Sequence, residues 1–333
     1  MFEPLNTPGA KAPTQGVLLA IDVGGTKTQV ACYDPSSQHL STRRLATHAA
    51  GLRGKSALER ILQAARECAA DFGDVPVASV AAVFPGVVRD SRLLMAPNTP
   101  GFEALDLPAL LGSGLGTEAV MLDNDVKAGA LAEARWGSLV GIDDAIYLNL
   151  GTGLAAAAIA NGRLIRGHNG AAMEIGYMLE PFLDPLRADQ WRTHEKGAAP
   201  LEEFFSGTAL TQLANEMLGH GHHALDLFTS ADRAVRQALE QRIAGMAVQV
   251  ANLAVALDVS RIAIGGGLFH QASTLAPVLE QLIRQAVPFP PQIVAAHFTH
   301  DAPLWGALSM AMDAAGLSFI PGDLLSLPDS PRG

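Results

Sequence analysis

Leu18-Leu19-Ala20-Ile21-Asp22-Val23-Gly24-Gly25-Thr26-Lys27-Thr28 is an apolar run that stops at an acid, two glycines and a threonine. The run has the length and character of a buried strand. Glycine at its end lets the backbone come close to a ligand, and the hydroxyl and amides that follow can hold phosphate oxygens. The arrangement returns in Ala145-Ile146-Tyr147-Leu148-Asn149-Leu150-Gly151-Thr152-Gly153. One such turn means little, because strands often end in glycine. Two of them, the first with an acid, describe a nucleotide phosphate chain gripped from both sides. A third, Ile262-Ala263-Ile264-Gly265-Gly266-Gly267, follows a buried strand and precedes a helix, so it suits a nucleoside or α-phosphate; it is also a common tight turn. The chain reads as a phosphotransferase.

Outward from these turns the chain reads as two α/β halves. In the first, Val17 to Val23 is a strand, Gln29 to Tyr33 its antiparallel neighbour and Val77 to Phe84 a further buried strand. Ser56 to Phe72 has helical spacing, with Leu58, Ile61, Leu62 and Ala65 on one face. Met95 to Phe102 is a loop, Ala119 to Leu122 a short strand, and Asp123-Asn124-Asp125 opens a helix to about Trp136. In the second half Ala155 to Ala160 pairs back on the Ala145 strand, with Asn161-Gly162 as a hairpin signal. Helices follow around Leu201 to Leu218, Ala231 to Leu257, Leu275 to Gln285 and Pro303 to Ala314, with a strand near Ile293 to Ala296. Two halves that each open on a phosphate-type turn imply two lobes with a cleft between them.

Bulk properties fit this reading. At 333 residues the chain exceeds the size at which single cores split, and 49% hydrophobic content is that of a packed globular protein. The net charge of −10 and the lack of a basic stripe argue against nucleic acid or an anionic membrane as main partner. Cys32 and Cys68 are too few for a disulfide framework or a cysteine-rich metal site. Met1 to Gly16 has no signal-like apolar core and no run is long enough to cross a bilayer, so a cytoplasmic location is expected. Residues 1–16 and 319–333 read as loose tails.

The chain resembles the ROK family of bacterial sugar kinases and repressors, glucokinase-like members above all, within the actin-like (ribonuclease H-like) and hexokinase-like ATPase fold. Asp22 to Lys27 is similar to the family's first phosphate motif, and Asn98-Thr99-Pro100-Gly101-Phe102 to its sugar-contacting loop. Asn124-Asp125 with Ala128, Ala130, Leu131, Ala132 and Glu133 resembles its catalytic segment. Gly151-Thr152-Gly153, Glu174-Ile175-Gly176, Leu201-Glu202 with Ser206-Gly207, and Gly265-Gly266-Gly267 follow in the family's order. The resemblance runs from residue 17 to about 312. It implies an active site in an interdomain cleft, a smaller lobe of residues 17–123 completed by the helix near 303–314, and a larger lobe of 124–302.

The roles it implies are those of phosphoryl transfer, which needs positioning and charge stabilisation more than covalent help. Asp22 would orient Mg²⁺ through water, and Gly24, Gly25, Thr26, Lys27, Gly151, Thr152, Gly153, Gly265, Gly266 and Gly267 would hold ATP. Asp125 would be the general base for a sugar hydroxyl. Taken alone, Asp123, Asn124 or Asp125 could equally cap the following helix, a role compatible with catalysis. Asn98, Asn124, Asp125, Glu174 and Glu202 would ring the sugar, although adjacent Glu203 could face it instead of Glu202.

The chain departs from its family at a zinc site. Tyr177 stands where a histidine is expected, and Leu179 to Pro200 holds no cysteine, so no structural zinc is expected. Tyr177 would take the histidine's place at the sugar through its hydroxyl, which both donates and accepts. Met173 stands where glycine is expected, Ala155 to Ala158 replace glycines, and Lys127 would point to solvent or attract anions. The reading is ATP-dependent phosphorylation of a hexose, with glucose at its 6-hydroxyl foremost. Fructose, mannose, an N-acetylhexosamine and a polyphosphate donor stay open. The rival is a catalytically silent sugar sensor; sixteen residues before the first strand are too few for a DNA-binding domain. The resemblance also implies a homodimer.

Overall fold

The computed structural model describes residues 15–181, 185–271 and 275–317. Most of the expected tails, residues 1–14 and 319–333, lie outside the described residues. The chain divides into two compact units, residues 1–136 with 301–333, and residues 137–300.

The first unit opens with β1 (Val17–Val23), β2 (Lys27–Asp34) and β3 (His39–Ala46), then α1 (Gly54–Ala70) and β4 (Val77–Phe84). The small hairpin β5 (Val87–Arg89) and β6 (Arg92–Leu94), α2 (Leu107–Leu115), β7 (Val120–Asn124) and α3 (Asp125–Trp136) follow. The main sheet has the order β3-β2-β1-β4-β7. β1 runs antiparallel to β2 and parallel to β4, and α1 and the last helix cover its two faces, so all seven of its residues are buried. Its odd-numbered residues Val17, Leu19, Ile21 and Val23 share a core with Ala57, Leu58, Ile61 and Ala65 of α1. The other face carries Leu18, Ala20 and Asp22 and meets the last helix, α10 (Ala302–Ala314). Ser79, the partner of Leu18 on β4, donates its hydroxyl to the Ala311 carbonyl of that helix at 2.6 Å.

The second unit repeats the plan. It contains β8 (Ala145–Leu150), β9 (Leu154–Ala160), β10 (Arg163–Leu164), α4 (Pro200–Phe204), α5 (Gly207–Leu218), α6 (Ala224–Thr229) and α7 (Arg233–Leu257). It closes with β11 (Arg261–Gly265), α8 (Gly267–Gln271), α9 (Leu275–Ala286) and β12 (Gln292–Ala295). Its sheet order, β10-β9-β8-β11-β12, has the same sequence of two antiparallel and two parallel pairings as the first. Each sheet therefore delivers a glycine turn from the C-terminal end of its central strand.

Several elements differ from the reading of the sequence. The unit boundary falls after Trp136 rather than at 123/124, because α3 packs along α10. Arg135 Nη1 ties the two helices, donating to Ser309 O at 3.1 Å, Ser309 Oγ at 2.7 Å and Asp313 Oδ1 at 2.9 Å. β3, the β5–β6 hairpin and α2 were not expected. α2 is fixed by its ends: Asp106 accepts from Ala109 N at 3.2 Å, and Gly116 closes it at φ 71°. The single helix expected over Leu201 to Leu218 is two, broken at Phe205-Ser206, where Ser206 caps α5 by accepting from Ala209 N. Lys127 does not point to solvent; it is 1% exposed. Among the described residues no helix is long and apolar enough to cross a membrane.

Candidate active site

In the first unit, β1 carries Asp22 to the start of the turn. Gly24 N donates to Lys27 O at 2.9 Å and closes it. Thr47, buried just past β3, clamps the turn from behind. Its hydroxyl donates to Gly24 O at 2.6 Å and meets Thr28 Oγ1 at 2.9 Å, while its amide donates to Thr26 O at 3.0 Å. The carbonyls of Gly24, Thr26 and Lys27 are thus taken up, while Gly25 N and Thr26 N find no acceptor among the described residues. Consecutive free amides of this kind form a concavity for an anion.

Asn98 lies directly against this turn. A β-carbon at Gly25 would come within 3.1 Å of Asn98 O and 3.2 Å of Asn98 Cβ, so any larger residue would have to push the Asn98 loop back by a few tenths of an ångström. The loop from Asn98 to Phe102 is anchored by Phe102, fully buried against Phe84 with ring centroids 5.7 Å apart. A second anchor is Gly54 N, which donates to Pro100 O at 3.2 Å.

At the end of β7, Asn124 caps α3. Its Oδ1 accepts from Lys127 N at 2.9 Å and its Nδ2 donates to Gly86 O at 2.8 Å. Capping and site geometry therefore coincide, because this cap sets the direction of Asp125, whose Oδ1 accepts from Val126 N at 2.8 Å. Burial pushes the Asp22 carboxyl up to about 7. The Asp125 charge pushes the same way, Lys27 partly opposes it, and Asp301 at the head of α10 adds to it. Three carboxylates and one lysine thus share one neighbourhood. No three His, Cys, Asp or Glu side chains converge as metal ligands among the described residues. A cation near Asp22 would relieve the crowding, and its oxygen donor suits a hard ion that keeps its waters.

The second unit carries the matching turn. Gly151 N donates to Gly153 O at 3.2 Å, and Leu154 N donates to Glu202 Oε2 at 2.9 Å. Thr152 N and Gly153 N are left without acceptors among the described residues, the same pair of amides as in the first turn. The third turn lies against this one. Gly266 has φ 92°, and a β-carbon there would sit 2.3 Å from Leu150 O. At Gly267 a β-carbon would meet nothing within 4 Å, which leaves space beside the turn.

Glu174 leads into a short 3-10 turn that carries Tyr177, whose amide donates to Glu174 O at 3.1 Å. Burial raises the Tyr177 hydroxyl above its usual range, and the charges of Glu174 and Glu202 raise it further, so these three groups lie together. The Tyr177 ring meets His194 edge-on with centroids 5.1 Å apart. Met173 adopts φ 66°, the left-handed conformation in which glycine is at ease. Between the two glutamates the structure discriminates. Glu203 Oε1 accepts from Ala199 N at 3.0 Å and its other oxygen pairs with Arg192, whereas Glu202 reaches the Gly151–Gly153 turn through Leu154 N. A cavity of about 510 Å³ opens here, lined by Glu202, Thr208 and Arg242 among others.

Sequence reasoning missed Thr47, Thr208 and Asp301. The only signal for Asp301 was its position before Ala302-Pro303 at a helix start. Thr47 follows a strand that was not expected, so nothing marked it.

The sequence pattern of the ROK family matches residues 18–314. An N-acetylmannosamine kinase of Shigella boydii is 30% identical over 302 residues, covering 88% of this chain and 97% of its own. The bifunctional enzyme NanE/NanK of Brucella melitensis is 27% identical over 88% of this chain, which spans only 54% of that protein. Among solved structures, a ROK family glucokinase from Streptomyces griseus in complex with glucose and AMPPNP superposes with a TM-score of 0.69. It is 26% identical, with 90% of this chain and all of that one covered (100%). The fold is the α/β actin-like ATPase fold of these kinases, and the chain belongs to the ROK family.

Proposed function

We propose that the chain is a hexokinase-type sugar kinase that transfers the γ-phosphoryl group of ATP to a hydroxyl of a hexose or an N-acetylhexosamine. The observation that carries this reading is Asp125 in the first turn of α3, close enough to the phosphate-strand Asp22 to raise its carboxyl. The sugar hydroxyl oxygen bonds to the γ-phosphorus, the bond from that phosphorus to ADP breaks, and the hydroxyl proton passes to the Asp125 carboxylate. Gly25 N, Thr26 N, Thr152 N and Gly153 N hold phosphate oxygens, and Gly265 to Gly267 border the nucleoside. Mg²⁺, held through water at Asp22, would neutralise phosphate charge. Asn98, Asn124, Glu174, Tyr177 and Glu202 bind the sugar hydroxyls.

Glucose and N-acetylmannosamine head the substrates, supported by the kinases of those two sugars among the relatives. A kinase that uses ATP is expected in the cytoplasm, and family resemblance supports a homodimer. The test is ADP release with Mg-ATP across hexoses and N-acetylhexosamines, with polyphosphate as a second donor and Asp125→Asn alongside. Turnover that depends on one sugar, lost in Asp125→Asn while that sugar still binds, is the expected result. Sugar binding with no turnover under any donor would overturn the kinase reading and leave a silent sensor.

A further inference from the structure

One short segment of the second unit, Leu201 to Thr208, grips the Gly151-Thr152-Gly153 turn at both ends. At one end Gly207 N donates to Gly151 O at 2.9 Å, and Thr208 donates to Thr152 O twice, through its amide and its hydroxyl, each at 3.0 Å. The first amides of a helix have no partner within it. Here the turn's carbonyls fill that need, and the turn's amides are left facing the other way. At the other end Glu202 Oε2 takes the Leu154 amide at 2.9 Å.

The fit around Glu202 is close. A β-carbon at Gly153 would stand 2.6 Å from Glu202 Oε2, and one at Gly176 would stand 3.3 Å from Glu202 Cβ. A β-carbon at Gly207 would lie 2.5 Å from Gly151 O. Three glycines thus allow three backbone segments to converge on one carboxylate and one turn. Glu202 also lies within electrostatic range of Tyr177, which stands beside Glu174. Its Oε2 is committed to the phosphate turn, and Oε1 has no hydrogen bond among the described residues.

A carboxylate used only to hold sugar has no need to accept a backbone amide of the nucleotide turn. We infer that Glu202 is a positioning residue for the nucleotide phosphates as well as a sugar contact, setting the Gly151–Gly153 turn through Leu154 N and coupling the two ligands through its two oxygens. The inference rests on the kinase reading of the turns. Sugar at Oε1 fixes the rotamer that holds Oε2 on Leu154, so each ligand tightens the other to the same factor.

The experiment titrates the full chain with AMPPNP and Mg²⁺ by calorimetry, first with no sugar at all. Glu202→Ala should weaken AMPPNP about tenfold in that sugar-free titration, the loss of one charged hydrogen bond. Glu202→Gln should stay within about twofold of the wild type, because its amide oxygen can still accept from Leu154 N. Thr208→Val, which keeps the backbone bond and removes the hydroxyl, should give a smaller loss than Glu202→Ala. Glu203→Ala on the same helix should leave AMPPNP unchanged, showing that damage to α4 alone does not suffice. Sugar should then tighten AMPPNP in the wild type and fail to do so in Glu202→Ala. Equal sugar-free affinities in wild type and Glu202→Ala overturn this inference alone. No AMPPNP binding by the wild type overturns the inference and the kinase reading together.

Discussion

Gly306 of α10 passes over Ala128 of α3 so closely that a β-carbon on it would fall 1.9 Å from the Ala128 carbonyl oxygen and 2.3 Å from its carbon. The neighbour is helix backbone, which cannot rotate away. Gly306→Ala must therefore push α10 off α3, along the face where Arg135 joins Ser309 and Asp313. A loss of about 3 kcal/mol is expected, the upper end of overpacking costs. Urea unfolding of the two proteins measures it; equal midpoints would mean that the helices are not held at this spacing.

The raised carboxyl of Asp22 makes the ligand-free protein less stable as pH rises. The group titrates at 3.8 in the unfolded chain and at about 7 in the folded one. Between those values the folded state holds a proton that the unfolded state has released, so stability falls from about pH 4 to about pH 7 and is flat beyond. The span is about 4 kcal/mol at most. Asp22→Asn should remove this component, and Asp125→Asn should shrink it by removing a repelling charge. Urea midpoints at pH 5 and pH 8 decide the matter; parallel slopes in wild type and Asp22→Asn would refute it.

Thr47→Val keeps the shape of a fully buried side chain and strips its hydroxyl from Gly24 O and Thr28 Oγ1. A buried hydroxyl and a part-buried carbonyl lose a partner, at a cost of about 1–3 kcal/mol. Nucleotide affinity should drop in the same variant, because the first turn loses its clamp. Serine at the same position should restore both.

Tyr177→Phe separates the hydroxyl from the ring. The ring still packs on His194, so the melting temperature should hold, while the KM for sugar rises about tenfold and that for ATP stays fixed. A change in ATP KM instead would move Tyr177 out of the sugar site.

Two adjacent glycines should respond oppositely. Gly266→Ala places a methyl on Leu150 O at a left-handed backbone position and should destabilise the second unit. Gly267→Ala meets nothing within 4 Å and should leave stability intact while weakening ATP, whose nucleoside needs that space. Unchanged ATP binding in Gly267→Ala would argue that the third turn is only a turn.

The two central strands and their turns were legible because each is a mostly apolar run ended by glycine, a pattern that burial of both sheet faces enforces. β1 and β8 have the expected limits, Val17–Val23 and Ala145–Leu150. The sheet edge was not legible. β3 reads His-Leu-Ser-Thr-Arg-Arg-Leu-Ala, with alternating exposure and four charged or polar positions in a row, so hydropathy does not mark it. Within the candidate site, the types of the glycine-turn residues could be read, but not their clamps. Thr47, Thr208 and Asp301 act through contacts with residues far off in sequence. The capping of α3 by Asn124 was one of three open choices, and only the bond to Lys127 N resolves it.

The first unit is discontinuous, and its last helix covers the face of β1 and β4 on which Asp22 lies. During synthesis that face stays bare while all of residues 137–300 are made, on the order of ten to thirty seconds at translation speed. The second unit, an uninterrupted stretch of chain, can fold as soon as it emerges. The order of birth is thus the reverse of the order of sequence: the half that begins the protein is the half finished last. A nascent chain arrested before Asp301 would carry a complete second unit and an uncovered apolar sheet, and that sheet is where aggregation would start.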